Sequence, residues 1–346
     1  MKTKDFSFDL PPELIAQEPR PVRGQSRLMI LDPSAHQYHH ASFVDFIENV
    51  PSHAILVFND SRVRKARVFA FSEKGRKVET IFLQNEGPFR WQCLLKNSKR
   101  LQDGHTLEFP HGMMGRVEGS QGNVRWIHFD KPVTEEWIDK NGHIPLPPYI
   151  RRPETDEDAQ RYQTVYAKNL GSVAAPTAGL HFTEQALQRL KARGVETASL
   201  TLHVGLGTFL PVRVENVEDH KMHTETYSIL PETAERLTQA QREGRPIVAI
   251  GTTSLRTLES AWSENGFMPG DGKSDLFITP GYTFKAVDQL FTNFHTPEST
   301  LLMLVSAFAG WDFIRECYAE AIRARYMFFS YGDATWIRSR TDPRPL

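Results

Sequence analysis

Cysteine is scarce in this sequence, and long hydrophobic runs are missing. Only two of the 346 residues are cysteine, Cys93 and Cys317, and neither lies in a CxxC or Cys/His pattern. This argues against a disulfide scaffold and against a zinc site. The longest apolar run, LLMLVSAFAGW, is too short to span a bilayer, and the N-terminus has no signal-peptide core. We therefore expect an unprocessed, soluble protein of the cytoplasm with no metal and no membrane contact.

An excess of charge of one sign is also missing. The 41 Lys and Arg residues nearly balance the 42 Asp and Glu residues, which leaves a formal net charge of -1. No overall field therefore attracts a polyanion, and any nucleic-acid contact has to use a local patch. The length and the 40% hydrophobic content allow about two domains with a sizeable core.

The sequence has two kinds of region that differ in their pattern of apolar and turn residues, and this difference predicts two domains. Between residues 62 and 148, short apolar runs are broken by turn sequences such as EKGRK, LQDGH and EGSQGN, which is typical of a small all-β barrel or sandwich. Residues 1–61 and 149–346 are instead predicted to form one discontinuous α/β catalytic domain. The barrel would be inserted after AILVFND, read as the first strand of that domain.

The second part of the chain carries helix signals between strand candidates. Thr183 is a predicted N-cap, Pro231 a first helical residue, and Thr296 with Pro297 a third helix start. The strand candidates are ETASLTLHV, PIVAIG and DLFIT. Their alternation with helices predicts a mostly parallel sheet covered on its faces.

The segment LTLHVGLGTF places a histidine where a strand runs into a glycine turn. Gly205 and Gly207 would let the backbone approach a ligand, and His203 precedes them at the sheet edge where α/β proteins bind ligands. A tight turn beside a hydrogen-bonded strand histidine explains the same residues equally well. A dinucleotide fingerprint is excluded, because Leu210-Pro211 follows instead of a helix opened by a third glycine.

The segment DHKMHTETY brings histidine and glutamate close together in sequence. His223 and Glu225 could share proton transfer, since imidazole titrates near neutral pH and a carboxylate can orient it. The spacing matches no zinc motif that we recognise. A solvated polar loop is the alternative.

The segment IVAIGTTSLRTLESAW predicts a strand, a glycine and a helix that starts with hydroxyl side chains. Thr252, Thr253 and Ser254 at such a helix start, with Arg256 in the first turn, would suit a carboxylate or phosphate. Ordinary N-capping accounts for the hydroxyls without a ligand.

The segment FNDSRVRKARVF concentrates positive charge at the boundary between the two predicted domains. Arg62, Arg64, Lys65 and Arg67 could bind nucleic-acid phosphates, although on a single strand they would point to both faces. A solvated charge run is the simpler explanation. Further basic residues occur in PVRGQSRL and AIRARYMFFSYGDATWIR.

Taken together, the motifs resemble one family along nearly the whole chain. FDLPPELIAQEP, LVFNDSRV, VAAPTAGLHFT, LTLHVGLGTF, HKMHTE, IGTTSLRTLES, FITPGYTFKAVDQLFTNFH and SYGDA follow the order of the S-adenosylmethionine:tRNA ribosyltransferase-isomerase family of queuosine synthesis. The resemblance implies transfer and isomerisation of the ribosyl moiety of S-adenosylmethionine onto 7-aminomethyl-7-deazaguanine in a tRNA anticodon. Epoxyqueuosine-tRNA, adenine and methionine would be the products. It also implies an α/β domain combined with a β-barrel.

That reaction suggests a role for each candidate residue. A base must remove an acidic C5′ proton next to the sulfonium, and His203 is the choice, with His223 and Glu225 as proton relay or sulfonium partner. Gly205, Gly207, Thr208 and Phe209 would form the wall against the nucleoside, and Thr252, Thr253, Ser254 and Arg256 an anion anchor. Arg62, Arg64, Lys65 and Arg67 would contact tRNA. S-adenosylmethionine is a consumed substrate, so no cofactor is expected, and a monomer is expected.

Two other functions are compatible with parts of the sequence. An S-adenosylmethionine methyltransferase would use the same donor, but its glycine-rich turn after the first strand is not found, and it would release S-adenosylhomocysteine. A non-catalytic RNA-binding protein would explain basic and aromatic residues without requiring His203, His223 and Glu225.

Overall fold

The computed structural model describes residues 1–96, 101–205 and 212–340. Its strands, in chain order, are β1 (Arg27–Asp32), β2 (Gln37–Ser42), β3 (Ile55–Asn59), β4 (Ser61–Val63), β5 (Arg67–Ser72), β6 (Lys77–Asn85), β7 (Arg90–Leu95), β8 (Thr106–Phe109), β9 (Met113–Gln121), β10 (Val124–Phe129), β11 (Asn169–Ser172), β12 (Glu196–Leu202), β13 (Glu225–Ile229), β14 (Ile247–Ile250), β15 (Trp262–Ser263), β16 (Gly266–Phe267), β17 (Gly270–Ser274), β18 (Gln289–Asn293) and β19 (Ala334–Ile337). Its α-helices are α1 (Phe43–Asn49), α2 (Glu135–Asn141), α3 (Asp158–Arg161), α4 (Glu184–Ala192), α5 (Pro231–Arg242), α6 (Thr252–Ala261), α7 (Thr300–Ala309) and α8 (Trp311–Arg323).

The largest element of the fold is a nine-stranded sheet in the order β17-β13-β12-β3-β14-β18-β19-β1-β2. The central strands β12, β3, β14 and β18 are parallel, as are β19 and β1. The other pairings are antiparallel. The sheet is therefore mixed, and the prediction of a mostly parallel sheet holds only for its centre.

Helices cover both faces of this sheet, which explains why its central strands are apolar throughout. In β3, Ile55 and Val57 pack into the core under α5 to α8, while Leu56 and Phe58 pack into the core under α1 and α4. Since neither face meets water, no polar alternation is needed. AILVFND is accordingly a central strand.

The second unit is a closed barrel in the order β10-β7-β6-β5-β8-β9. Its interior is aromatic: the Phe82 and Phe129 rings lie 5.6 Å apart, and Trp91 is fully buried. Helix α2 adds Ile138 to this core. The predicted α/β fold with an inserted all-β barrel is confirmed, while the exact boundaries 62 and 148 stay a prediction.

The chain enters and leaves the barrel region at one place. Strand β4, just before the barrel, pairs in parallel with β11, and Asn169 lies opposite Ser61. The basic segment read as one strand is thus two strands, β4 and β5, separated by residues 64–66.

Three local predictions need correction. The barrel follows β3 and β4 rather than a first strand, because β1 and the exposed edge strand β2 precede them. The segment DLFIT is a loop, since an apolar residue such as Ile278 can be buried without strand pairing. Helix α7 starts after Ser299, whose hydroxyl accepts a hydrogen bond from Leu302 N at 3.1 Å, not after Thr296.

Two other helix starts are confirmed. The Thr183 hydroxyl accepts a hydrogen bond from Ala186 N at 3.0 Å at the start of α4. Pro231 is the first residue of α5.

Candidate active site at the carboxyl edge of the sheet

The sequence motifs meet at one edge of the large sheet. The parallel strands β12, β3, β14 and β18 end there, and β13, β19 and β1 begin there because they run in the opposite direction. The motifs LVFNDSRV, LTLHVGLGTF, HKMHTE, IGTTSLRTLES and SYGDA all reach this edge. In an open α/β sheet, the crevice beyond the carboxyl ends of the strands is where ligands bind.

Asn59, at the end of β3, ties three of these segments together. Its side-chain oxygen accepts from Leu202 N at 3.0 Å, and its amide donates to Leu202 O at 3.0 Å and to the Thr253 hydroxyl at 3.3 Å. The next residue, Asp60, accepts from the Thr201 hydroxyl at 2.6 Å. These bonds fix the spacing between the strand ends that carry the predicted site residues.

His203 lies beside β13 and against Gly171. Its backbone N–H donates to Thr226 O at 3.1 Å, and its ring covers the Gly171 Cα so closely that an added Cβ would lie 2.7 Å from Nδ1. Nδ1 is buried without a hydrogen-bond partner among the described residues. Burial, and then the positive charge of Arg64, lower the pKa of His203, while Asp60 opposes this shift. The imidazole is therefore neutral at neutral pH, as a base requires.

Glu225 and Arg256 form a buried ion pair next to Gly205. Arg256 Nη1 donates to Glu225 Oε2 at 2.6 Å, and each side chain is only 4% exposed. Glu225 Oε1 accepts from Gly205 N at 3.0 Å, while Arg256 Nε donates to Leu276 O at 3.2 Å. Arg256 Nη2 is buried without a partner among the described residues. The pair thus fixes Gly205, two residues after His203, and Arg256 retains one donor without a partner among the described residues.

The hydroxyl residues at the start of α6 are largely engaged within the protein. Ser254 donates to Ile250 O at 2.9 Å, and the Thr253 hydroxyl accepts from Asn59. Gly251 precedes the helix with a φ of 90°. Thr252 is 6% exposed and has no side-chain hydrogen bond within the described residues. Thr252 and Arg256 therefore keep the unused donors of this predicted anchor.

His223 is placed differently from the other predicted catalytic residues. It is exposed in the loop before β13 and makes no hydrogen bond or ion pair with the described part of the chain. Its neighbour His220 packs edge-on against Phe277, with ring centroids 5.2 Å apart. Gly207, Thr208 and Phe209, predicted to line the nucleoside, lie outside the described residues.

Three of the four basic residues at the barrel junction have carboxylate partners. Arg64 binds Glu135 of α2 in a bidentate pair at 2.6 and 2.9 Å. Lys65 lies 3.1 Å from Asp139, and Arg67 lies 2.9 Å from Glu154. Arg62 is exposed and has no ion pair within residues 1–96, 101–205 and 212–340. The structure thus leaves Arg62 as the freest cation of the predicted patch.

A polar chain that the sequence reasoning missed lies farther along the same edge. Asn293, at the end of β18, donates to Phe329 O at 3.1 Å and to His181 Nε2 at 3.0 Å. His181 Nδ1 lies 2.6 Å from the Ser26 hydroxyl. Burial lowers the pKa of His181 to about 3. The signal was available in principle, because Asn59 and Asn293 are both buried polar residues that end a strand buried along its whole length.

Within the described ranges, no cluster of three His, Cys, Asp or Glu side chains could hold a metal ion. The helices described there include none long and apolar enough to cross a membrane.

Comparisons with known proteins identify relatives over nearly the full chain. Residues 3–337 match the family described as queuosine biosynthesis protein. The S-adenosylmethionine:tRNA ribosyltransferase-isomerase of Treponema denticola is 49% identical, covering 97% of this chain and 100% of its own. The enzyme of the same name from Clostridioides difficile is 48% identical, covering 98% and 100%. A crystal structure of an S-adenosylmethionine tRNA ribosyltransferase from Thermotoga maritima has a TM-score of 0.55 and 35% identity, covering 96% of this chain and 99% of its own.

Proposed function

We propose that this chain, which belongs to the queuosine biosynthesis protein family, is an S-adenosylmethionine:tRNA ribosyltransferase-isomerase. It transfers and isomerises the ribosyl moiety of S-adenosylmethionine onto 7-aminomethyl-7-deazaguanine in a tRNA anticodon. Epoxyqueuosine-tRNA forms, and adenine and methionine are released. The observation that carries the proposal is the convergence of the family's motifs on one sheet edge, around a neutral histidine.

His203 is the proposed base. The positive sulfur of S-adenosylmethionine acidifies the C5′ protons, so a neutral imidazole can take one of them and leave an ylide. Adenine then departs with the electron pair of its glycosidic bond and takes up a proton. The amine of the modified base attacks the ribosyl group, and the C5′–S bond breaks with its electron pair on sulfur, which neutralises the sulfonium and releases methionine. Burial of His203 serves this step because it keeps the ring unprotonated before the substrate arrives.

The Glu225–Arg256 ion pair beside Gly205 is the proposed positioning device. Glu225 holds Gly205 through a backbone hydrogen bond, and Arg256 holds Glu225. The free Nη2 of Arg256, with Thr252 nearby at the start of α6, is the proposed anchor for the methionine carboxylate. Gly207, Thr208 and Phe209 remain the proposed wall against the nucleoside, and His223 a proposed proton relay.

The tRNA is proposed to contact the junction between the two units. Arg62 is exposed there, whereas Arg64, Lys65 and Arg67 would first have to exchange their carboxylate partners for phosphates. We further propose that the enzyme acts as a monomer in the cytoplasm and that S-adenosylmethionine is a consumed substrate, with no additional cofactor.

The decisive experiment combines the purified protein, S-adenosylmethionine and a tRNA that carries 7-aminomethyl-7-deazaguanine. Nucleoside mass spectrometry should detect epoxyqueuosine, and free adenine should appear in equal amount. S-adenosylhomocysteine in place of adenine would identify a methyltransferase instead. Tight tRNA binding with neither product would leave an RNA-binding protein.

His203→Ala tests the proposed base. We expect turnover to fall by about 100-fold or more, because general-base catalysis typically contributes 10²–10⁴. His39→Ala is the matched control, since His39 is an exposed histidine of the edge strand β2. Near-normal turnover of His203→Ala, with circular dichroism unchanged, would rule His203 out as the base.

A further inference from the structure

A small basic pocket lies on the same sheet edge, away from His203. It has a volume of about 30 Å³, which is room for a few water-sized groups such as the oxygens of an anion. The segment before β1 forms one wall and the segment before β19 forms the other. The polar groups that line it include Arg20, Arg23, Ser26, Arg161 and His181.

The hydrogen-bond network determines what the Ser26 hydroxyl can do in this pocket. Phe329 O is a carbonyl oxygen and can only accept, so the Asn293 atom next to it is the amide nitrogen, which donates. The same nitrogen donates its second N–H to His181 Nε2, which must therefore be unprotonated. The neutral His181 therefore carries its proton on Nδ1 and donates it to Ser26 Oγ. The hydroxyl proton of Ser26 has no acceptor among the described residues and is available to a ligand.

The arginines add further donors. Arg20 pairs with Asp333 at 2.6 Å through Nη2, but its Nε is buried without a partner within the described residues. Arg161 pairs with Glu157 at 2.9 Å. Arg23 donates to backbone carbonyls, with Gln163 O at 2.9 Å, and has no carboxylate partner in the described part of the chain. The pocket therefore offers donors and an uncompensated positive charge, which suit an oxyanion.

The position of the pocket decides which oxyanion it can hold. His181 joins the end of β18 to the start of β1, and these strands lie three and five places from β12 in the sheet order. At about 4.8 Å per strand, the pocket is roughly 14–24 Å from His203. The five bonds from C5′ to the carboxylate of S-adenosylmethionine span only roughly 7 Å. The methionine carboxylate cannot reach the pocket while C5′ lies at His203, whereas a long RNA can.

We propose that this pocket binds a backbone phosphate of the tRNA through Arg20, Arg23 and Ser26, while the modified base lies at His203. This inference rests on the proposed function. With this pocket included, the proposed tRNA-binding surface runs along the sheet edge from the barrel junction to the segment before β1. The pocket is a positioning site, since it touches the substrate far from the reacting atoms.

Arg20→Gln is the direct test, measured as the affinity for an anticodon stem-loop RNA at several KCl concentrations. Loss of one phosphate contact should make the slope of log affinity against log salt shallower by about 0.7–0.9. Arg242→Gln is the matched control: it removes the same charge from an exposed residue at the end of α5, which precedes β14 and so lies at the opposite sheet edge. Arg242→Gln should keep the wild-type slope.

The other outcomes separate this inference from the proposed function. A wild-type slope for Arg20→Gln overturns the phosphate site, while wild-type turnover still supports the function. A raised KM for S-adenosylmethionine with an unchanged RNA slope would assign the pocket to the carboxylate and also overturn it. If Arg20→Gln unfolds, Arg23→Gln gives the same measurement, because Arg23 also belongs to the proposed site and its partners are the backbone carbonyls of residues 160, 161 and 163. Failure of the wild-type protein to modify tRNA would count against the function itself.

Discussion

Gly171 determines where the ring of His203 can lie. Its φ of 151° falls outside the range that other residues readily adopt, and its missing side chain makes room for the imidazole. His203 receives no side-chain hydrogen bond on Nδ1 within the described residues. The ring is therefore positioned by packing against a glycine rather than by a polar partner.

Gly171→Ala should displace His203 and lower kcat by about 10-fold or more, because misplacement of a reacting group by 1 Å can cost 10²-fold. Gly270→Ala is the control: Gly270 also has a positive φ, of 101°, but no atom lies within 4 Å of an added Cβ. Both variants carry backbone strain, and only the first meets His203. Equal losses of activity would show that strain, not displacement of the ring, is responsible.

The lowered pKa of His203 has a consequence for the pH dependence of the reaction. As pH falls through the pKa of His203 in the folded protein, the imidazole becomes protonated and can no longer act as the proposed base. The acid limb of kcat/KM should therefore lie below pH 6.5, the ordinary value for histidine. A pH–rate profile with saturating tRNA checks this. An acid limb centred above 6.5 would contradict the assignment.

At the scale of elements, the Glu225–Arg256 pair joins β13 to α6 and to Gly205. Removing one partner of a buried pair leaves the other charge uncompensated. We expect Arg256→Met to lower the free energy of unfolding by about 3–5 kcal/mol. Urea denaturation followed by circular dichroism measures this.

Arg236→Met is the control for that variant. Arg236 pairs with Glu196 at 2.6 Å, but its side chain is 42% exposed, so its loss should cost about 1 kcal/mol or less. Equal losses for the two variants would mean that burial does not set the cost of breaking the Glu225–Arg256 pair.

Two helices whose start is determined by residues within one turn were predicted correctly, whereas the edge strand β2 and the loop DLFIT were not. Thr183 and Pro231 start helices through contacts within one turn, so their sequences sufficed. Strand β2 was missed because it is an exposed edge strand that, within the described residues, pairs with β1 alone. DLFIT was misread because apolar content reports burial and not backbone conformation.

The sequence predicted individual residues of the candidate site, but it did not predict how they are arranged in space. Residue types indicated His203, Glu225 and Arg256 separately. Their arrangement depends on the order of strands in the sheet, and the pairing of Glu225 with Arg256 joins strand β13 to helix α6, which follows β14. Asn59 was overlooked because its role, bridging β3 to β12 and α6, exists only after the sheet has formed.

At the scale of the whole molecule, two buried histidines make the fold sensitive to acid. Burial lowers the pKa of both His181 and His295 to about 3. In the unfolded chain these histidines become protonated below about pH 6.5, whereas in the folded chain they stay neutral down to about pH 3. The free energy of unfolding therefore decreases as pH falls from 6.5 to 3. Each histidine contributes up to about 1.4 kcal/mol per pH unit.

His295→Gln isolates one of these contributions. Gln can still hydrogen-bond the Thr292 hydroxyl, which lies 3.0 Å from His295 Nε2, but does not titrate. The stability difference between the wild type and the variant should shift by about 1–2 kcal/mol in favour of the variant between pH 6.5 and pH 5. Urea unfolding at both pH values measures it. A difference independent of pH would refute the contribution of His295.

The pairing of β1 with β19, in which Leu28 lies opposite Ala334, sets the order in which a nascent chain can mature. The barrel strands emerge from the ribosome consecutively and pair with near neighbours, so the barrel can close early. The apolar strand β3 is synthesised before the barrel, but its partners β12 and β14 are synthesised after it, so β3 stays unpaired until they emerge. A chain that stops before β19 leaves β18 and β1 without a shared partner, and we expect such truncated chains to aggregate rather than fold.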